Sequence, residues 1–176
     1  MEETLPVSQL GATVIREVAA PVSDIPSSAM KHLVAAMIAT CEQAGGVGIA
    51  APQVGESKRL FIMASEPNAR YPDAPKMAPT PVFNPRILSM SESEESAWEG
   101  CLSLPGVRGW VPRATSIEVS YYDAEGVFVE RLFEGFLARL FQHEYDHLNG
   151  VVFIDRVRST RDIIMEAEYQ RLLQVE

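Results

Sequence analysis

The chain of 176 residues is 47% hydrophobic and 22% charged, which is the composition of a folded globular protein and excludes a disordered one. Its 15 Lys and Arg against 24 Asp and Glu leave a formal net charge of −9, so phosphate backbones would be repelled and nucleic acid is disfavoured as a direct ligand. Two cysteines exclude a disulfide scaffold, and no apolar stretch has the length of a membrane span. The acidic N-terminus lacks the features of a targeting segment, so we expect a cytoplasmic protein.

The first half of the chain predicts one amphipathic helix followed by strands. Apolar residues recur at helical spacing over residues 27–44, and Cys41 lies in that stripe, so we assign this thiol to the core. The apolar runs 59–64 and 82–90 predict strands. Between them, residues 66–81 contain five prolines and predict an exposed excursion, and the acidic stretch 91–96 predicts a solvated turn.

The second half predicts a hairpin, a buried helix and a terminal helix. Residues 115–135 have the alternation of a hairpin with a turn at 123–126, and residues 135–149 form a helix with apolar side chains on most of its sides. Residues 151–155 predict a strand and residues 159–174 an amphipathic helix. The fold class expected is α+β, with antiparallel sheets packed around a central buried helix, an N-terminal amphipathic helix and a C-terminal helix.

The segment QHEYDH, residues 142–147, carries the HExxH pattern of metal-binding helices. His143 and His147 are four residues apart, so they share one helix face and can bind one metal ion with Glu144 beside it. Burying these polar groups would be costly unless they were paired or bound to a metal. A catalytic site of this type needs a third protein ligand and a water, and the motif does not supply that ligand.

Two alternatives for the third ligand are open. Glu166 or Glu168 lies about twenty residues further on, as in thermolysin-like peptidases, although charge on a short terminal helix is more often a solvated face. Cys101 lies in WEGCLSLPG, whose glycines and proline predict a loop, and a lone loop thiol beside paired histidines favours a ligand over an incidental buried cysteine.

Three separated motifs resemble those of the bacterial peptide deformylases. They are GVGIAAPQ at 46–53, EGCLS at 99–103 and QHEYDH at 142–147, and the similarity extends over about residues 10–155. The resemblance implies a single catalytic domain over residues 1–176, in which a metal-bound water attacks the formyl carbon of an N-terminal formylmethionine. The substrate and partner would be formylmethionyl nascent peptides, without direct binding of nucleic acid or membrane.

The resemblance also assigns roles to individual residues. The implied metal ligands are Cys101, His143 and His147, holding one divalent ion: Fe(II) in the native enzyme, with Zn(II), Ni(II) or Co(II) in purified protein. Glu144 would be the general base and then the acid, and its rival role is a plain ion pair with Arg139. The Gln53 side chain and the Leu102 N–H would stabilise the oxyanion.

Substrate binding would fall to residues of all three motifs and of the buried helix. The residues implied are Gly46, Val47, Gly48, Glu99, Gly100, Phe136 and Leu140. Val47 and Gly100 would pair with the peptide backbone as an added strand, whereas Phe136 and Leu140 would be core residues in any globular protein. Asp146 is expected to pair with Arg108 or Arg113.

The C-terminal tail carries little net charge. Family members can associate transiently with ribosomes through a basic tail, but residues 156–176 carry four Arg and four acidic residues.

One rival function is a peptidase that cuts internal bonds and uses Glu166 or Glu168 as a ligand. The other is a non-enzymatic module whose metal only stabilises the fold.

Overall fold

The structure is a computed structural model that describes residues 3–174, and it shows a mixed α/β protein with two antiparallel sheets. The three helices are α1 (Ser28–Gln43), α2 (Gly135–His147) and α3 (Glu166–Leu173). The strands are β1 (Gly48–Ala50), β2 (Leu60–Met63), β3 (Thr80–Met90), β4 (Glu94–Cys101), β5 (Leu104–Ala114), β6 (Ser116–Tyr122), β7 (Phe128–Glu134) and β8 (Ile163–Met165). The expected α+β class with antiparallel sheets is therefore confirmed.

The first sheet has the strand order β1-β2-β3-β6-β7 and carries the predicted hairpin. Strands β6 and β7 pair from Ser116 opposite Glu134 to Tyr122 opposite Phe128, so the turn lies where the sequence placed it. Helix α1 begins after Ser27, whose hydroxyl accepts from the Met30 N–H at 3.3 Å, and this predicted helix is also confirmed. Cys41 on α1 is fully buried, as expected.

The second sheet, β4-β5-β8, corrects the prediction of a loop around Cys101. Strands β4 and β5 pair as a hairpin in which Cys101 is opposite Leu104, so the cysteine ends a strand instead of lying in a loop. Cross-strand pairing outweighs the local glycine and proline signals here, with a register shift between Glu99 and Cys101. The acidic stretch 91–96 is likewise partly strand, because β4 begins at Glu94.

Two predictions for the C-terminal part are wrong. Residues 151–155 do not form a strand; Phe153–Asp155 is a 3-10 helix, closed by a hydrogen bond from the Val152 N–H to Asp155 Oδ2 at 2.9 Å. The helix expected over 159–174 begins only at Glu166, because Ile163–Met165 pairs with β5 as β8. Tertiary pairing of β-branched residues overrides the helical pattern.

The main core lies between the first sheet and α2. Phe141 of α2 packs edge-on against Phe61 with ring centroids 5.0 Å apart, and it also contacts Phe133 of β7. The proline-rich segment 66–81 is mostly exposed, as expected, but Tyr71 and Met77 pack against this core. The segment is therefore held over one end of α2.

No helix within residues 3–174 is both long enough and apolar enough to cross a membrane.

Candidate metal centre

Three side chains from two elements converge beneath an open cleft. Cys101 comes from the end of β4, and His143 and His147 come from successive turns of α2. One ligand atom from each lies within 4.8 Å of the others, and Cys101 Sγ is 3.2 Å from His147 Nε2. No other group of three His, Cys, Asp or Glu residues in the described part of the chain converges in this way.

The cluster favours the thiolate that a metal requires. Burial would raise the pKa of the Cys101 thiol, but the charges and hydrogen bonds of His147 and His143 outweigh burial and hold this pKa well below its usual value. Burial would lower the pKa of His143, but Cys101 and Glu99 raise it well above its usual value. Sulfur and imidazole thus stabilise each other's charged forms in the absence of an ion.

Glu99 orients His143 from behind. Its Oε2 lies 2.9 Å from His143 Nδ1, which leaves Nε2 free to bind a metal. The same carboxylate accepts from Arg113 Nε and Nη2, both at 3.0 Å, and from Arg139 Nη1 at 2.8 Å. Burial would raise the pKa of Glu99, but Arg113 and His143 outweigh burial and lower it, so Glu99 is ionised. The resemblance grouped Glu99 with the substrate-binding residues, whereas the structure engages its carboxylate with these three side chains.

Arg113 connects this carboxylate to Asp146 on α2. Arg113 Nη1 donates to Asp146 Oδ2 at 2.6 Å, and Arg156 Nη2 donates to Asp146 Oδ1 at 2.6 Å. Of the two partners considered for Asp146, the structure shows Arg113. Arg108 instead binds both carboxylate oxygens of Glu166, at 2.6 and 3.2 Å.

The glutamates of the terminal helix do not reach the cluster. Glu166 is bound to Arg108, and Glu168 pairs with Arg171 on the surface. The convergence of Cys101 with the two histidines therefore favours cysteine over either glutamate as the third ligand.

Glu144 lies beside the cluster in an enclosed position. Its side chain is buried, and its Oε2 has no hydrogen-bond partner among residues 3–174. Burial raises the pKa of Glu144 to about 7. A Cβ built on Gly48 would lie only 2.6 Å from Glu144 Oε1, so glycine is needed at position 48 for this close approach. The alternative pairing with Arg139 is not seen, because that arginine binds Glu99.

Gln53 presents its amide nitrogen to the cluster. The Ala50 N–H donates to Gln53 Oε1 at 2.8 Å, and Gln53 Nε2 then points to Cys101 Sγ at 3.4 Å and Ser103 Oγ at 3.2 Å. Sequence reasoning missed Ser103 as the partner of Gln53. Ser103 is fully buried. It is the last residue of the EGCLS motif, and this position was the signal that could have identified it.

The cleft above the cluster brings together all of the residues expected to bind substrate. Those lining it are Gly46, Val47, Gly48, Glu99, Gly100, Phe136 and Leu140, together with Leu102, Gln53, Arg70 and Tyr71. Phe136 and Leu140 also belong to the core, so both of their expected roles are compatible with the structure. Arg70 and Tyr71 come from the proline-rich segment, and no pattern in the sequence indicated them.

A buried thiol, two imidazoles and an enclosed carboxylate beside a cleft are typical of metal-dependent hydrolases. The family model described as Polypeptide deformylase matches residues 4–162. The chain is 52% identical over 171 residues to "Peptide deformylase 2" of Nostoc sp., covering 97% of this chain and 96% of that relative. "Peptide deformylase 2" of Shewanella oneidensis is 42% identical over 164 residues, covering 93% of this chain and 90% of the relative.

Solved structures agree with this assignment. The Met-Ala-Ser-bound crystal structure of class I type b peptide deformylase from Acinetobacter baumannii has a TM-score of 0.86 and 48% identity, covering 89% of this chain and 100% of that one. A peptide deformylase from Synechococcus elongatus in complex with actinonin has a TM-score of 0.81 and 39% identity, covering 90% and 81% of the two chains. The chain belongs to the peptide deformylase family, whose members are metal-dependent hydrolases that remove N-terminal formyl groups.

Proposed function

We propose that this chain removes the formyl group from the N-terminal formylmethionine of newly made polypeptides, in the cytoplasm and as one catalytic domain built around α2. The observation that carries the proposal is the convergence of Cys101, His143 and His147 within 4.8 Å, with Glu144 buried beside them. No structural metal site needs a buried carboxylate without a partner, whereas a hydrolytic site does.

The residues present fit a single divalent metal ion. Cys101, His143 and His147 would hold it, and a thiolate with two imidazoles suits Fe(II), Zn(II), Ni(II) or Co(II), with Fe(II) proposed as the native ion. Glu99 fits this role as well, because it occupies His143 Nδ1 and leaves the other ring nitrogen for the ion. When bound, the ion supplies Lewis acidity that polarises the formyl oxygen and acidifies a water.

Glu144 moves the proton. It accepts a proton from the water as the water oxygen bonds to the formyl carbon, and it passes that proton to the amine nitrogen as the carbon–nitrogen bond breaks. Formate and a free amino terminus are the products. Burial raises the pKa of Glu144 to about 7 in the metal-free protein, and a bound cation would lower it, so that the carboxylate form accepts the proton from water.

Gln53 and the Leu102 N–H donate to the formyl oxygen as it gains negative charge. The Gln53 amide is already oriented by the Ala50 N–H and by Ser103, so little reorganisation is needed when the charge develops. Loss of one donor of this kind costs roughly 10²- to 10³-fold in rate.

The peptide would lie between Val47 and Gly100, adding a short strand to the cleft. Phe136 and Leu140 line the same cleft with Gly46 and Gly48, and they would contact the methionine side chain. The Acinetobacter baumannii relative has been crystallised with Met-Ala-Ser, which supports a peptide that begins with methionine. Any ribosome association would be transient, because the tail offers little net charge for it.

Replacement of Cys101 by Ser tests the ligand set against an internal peptidase. A deformylase should lose most of its metal and its hydrolysis of formyl-Met-Ala-Ser, whereas a peptidase with a glutamate ligand would keep both its metal and its activity. Cys41→Ala is the matched control, because this second buried thiol lies in the core. Metal content by elemental analysis and formate release are the measurements.

Replacement of Glu144 by Ala separates metal binding from catalysis. The variant should keep one metal ion per chain and deformylate at no more than about a hundredth of the parent rate, since a general base contributes 10²- to 10⁴-fold. Full activity in this variant would remove Glu144 from the mechanism.

A further inference from the structure

We propose that Arg70 makes this chain prefer formylated peptides with an acidic side chain at the second or third residue. The inference rests on the proposed deformylase function and adds a substrate class to it. It is carried by the position of the Arg70 guanidinium in the cleft, by the turn that holds it there and by the charges around it.

Arg70 lies against the strand along which the peptide would bind. Its side chain lines the same cleft as Gly100 and the metal-binding cluster. A Cβ built on Gly100 would lie 3.0 Å from Arg70 Nη2, so the absence of a side chain at position 100 leaves room for the guanidinium beside the backbone. A peptide paired with Gly100 would therefore carry the residues after its methionine past this cation.

A compact turn holds Arg70 in place. Asn68 Oδ1 accepts from the Arg70 N–H at 2.9 Å and from the Tyr71 N–H at 3.0 Å. Tyr71 in turn packs edge-on against Phe136, with ring centroids 5.6 Å apart, and its hydroxyl accepts from the Gly100 N–H at 3.3 Å. The backbone of Arg70 and the side chain of Tyr71 are thus both anchored next to the cleft.

The Arg70 guanidinium forms no ion pair with a carboxylate in the described part of the chain. Within residues 3–174, no carboxylate oxygen lies within 4.0 Å of its guanidinium nitrogens. Glu166 is close enough for Arg70 to contribute to lowering its pKa, but both of its oxygens bind Arg108.

Arg139, the other cation that lines the cleft, has its donors occupied. It donates to Glu99 Oε1 and to the backbone carbonyl of Val111, both at 2.8 Å, and also to the carbonyl of Glu95. Arg70 is therefore the cleft cation with donors left for a ligand. A carboxylate is the side chain that best matches a guanidinium, because it can accept two parallel hydrogen bonds.

The test uses formyl-Met peptides with Glu, Gln or Lys at the second or the third position and an amidated C-terminus, so that the tested side chain is the variable charge. The parent should show a higher kcat/KM for Glu than for Lys at one of the two positions, mainly through KM. Arg70→Gln should lower this Glu-to-Lys ratio about fivefold, as expected for a partly exposed ion pair, and Arg70→Glu should invert it.

Lys76→Gln is the matched control, because Lys76 belongs to the same segment but pairs with Glu66 on the surface. This variant should keep the parent ratio. The ratio is compared within each variant, so a change in overall activity does not affect it. A Glu-to-Lys ratio that is equal in the parent and in Arg70→Gln at both positions would overturn the inference, even though the peptides are deformylated. A parent that deformylates none of the peptides would instead refute the proposed function, and the inference with it.

Discussion

Glu144 occupies the least favourable position for a charge in the site. Gly48 leaves just enough room for its carboxylate, and its Oε2 finds no partner within the described residues. An unpaired buried carboxylate destabilises the folded state, so the proposed role in proton transfer, and not stability, would account for this side chain. The neighbouring histidines favour its charged form, but burial outweighs them and raises its pKa to about 7.

The metal-free protein should therefore show a pH dependence that comes from Glu144. In the unfolded chain this carboxyl titrates near 4.5, and in the folded chain near 7, so the folded state holds the proton more tightly. Its contribution to stability is complete below pH 4.5 and is lost as the pH rises to 7. The free energy of unfolding of the metal-free parent, measured by urea titration, should fall over this window relative to that of metal-free Glu144→Gln. Parallel curves for the two proteins would contradict the raised pKa.

Helix α2 and the second sheet are joined by buried charges behind the proposed metal-binding side chains. Arg113 of β5 lies between Glu99 of β4 and Asp146 of α2 and binds both. Burial would lower the pKa of Arg113, but Glu99 and Asp146 raise it, so it is charged. His143 is thus oriented through contacts between elements, because its partner Glu99 is itself held by an arginine from another strand.

Arg113→Gln should destabilise the protein by about 3–5 kcal/mol, because it leaves two buried carboxylates without their shared partner. It should also weaken metal binding about 10- to 100-fold, since Glu99 would lose two of the three arginine hydrogen bonds that hold it against His143. Arg158→Gln is the control: this arginine pairs with Glu94 on the surface, and its loss should cost less than about 1 kcal/mol. Urea unfolding and metal titration measure the two effects. Equal stability of the two variants would show that the buried network does not hold the site.

The molecule as a whole builds its site on a core that does not need the metal. Three clusters of buried apolar side chains pack between the sheets and helices, and the ligands project from elements that these clusters support. Most of the hydrophobic stabilisation is therefore independent of the ion. This distinguishes the protein from small modules that fold only around a metal.

Removal of the ion by a chelator should abolish deformylation and leave the far-ultraviolet circular dichroism largely unchanged, because the buried apolar clusters supply most of the stabilisation. Added Fe(II) under anaerobic conditions, or Ni(II), should restore activity. Loss of helical signal on chelation would instead indicate that the metal only stabilises the fold.

Local sequence patterns were sufficient to predict the structural features that depend on residues close together in the chain. The period of α1, the hairpin of β6 and β7 and the shared face of His143 and His147 follow from spacings of two to four residues. Cys101 could be named as a ligand from its motif and its context, but its position at the end of a strand could not. Pairing with β5 decides that, and local glycine and proline signals pointed to a loop.

By itself, the sequence determined the class of protein and predicted the metal-binding side chains and the general base, because short motifs encode the chemistry of a site. Only the tertiary structure decided which groups support that chemistry. Glu99 meets His143 across 44 residues of chain, and Tyr71 meets Gly100 across 29. Such contacts depend on how sheets and helices pack, and packing joins residues that no local pattern relates.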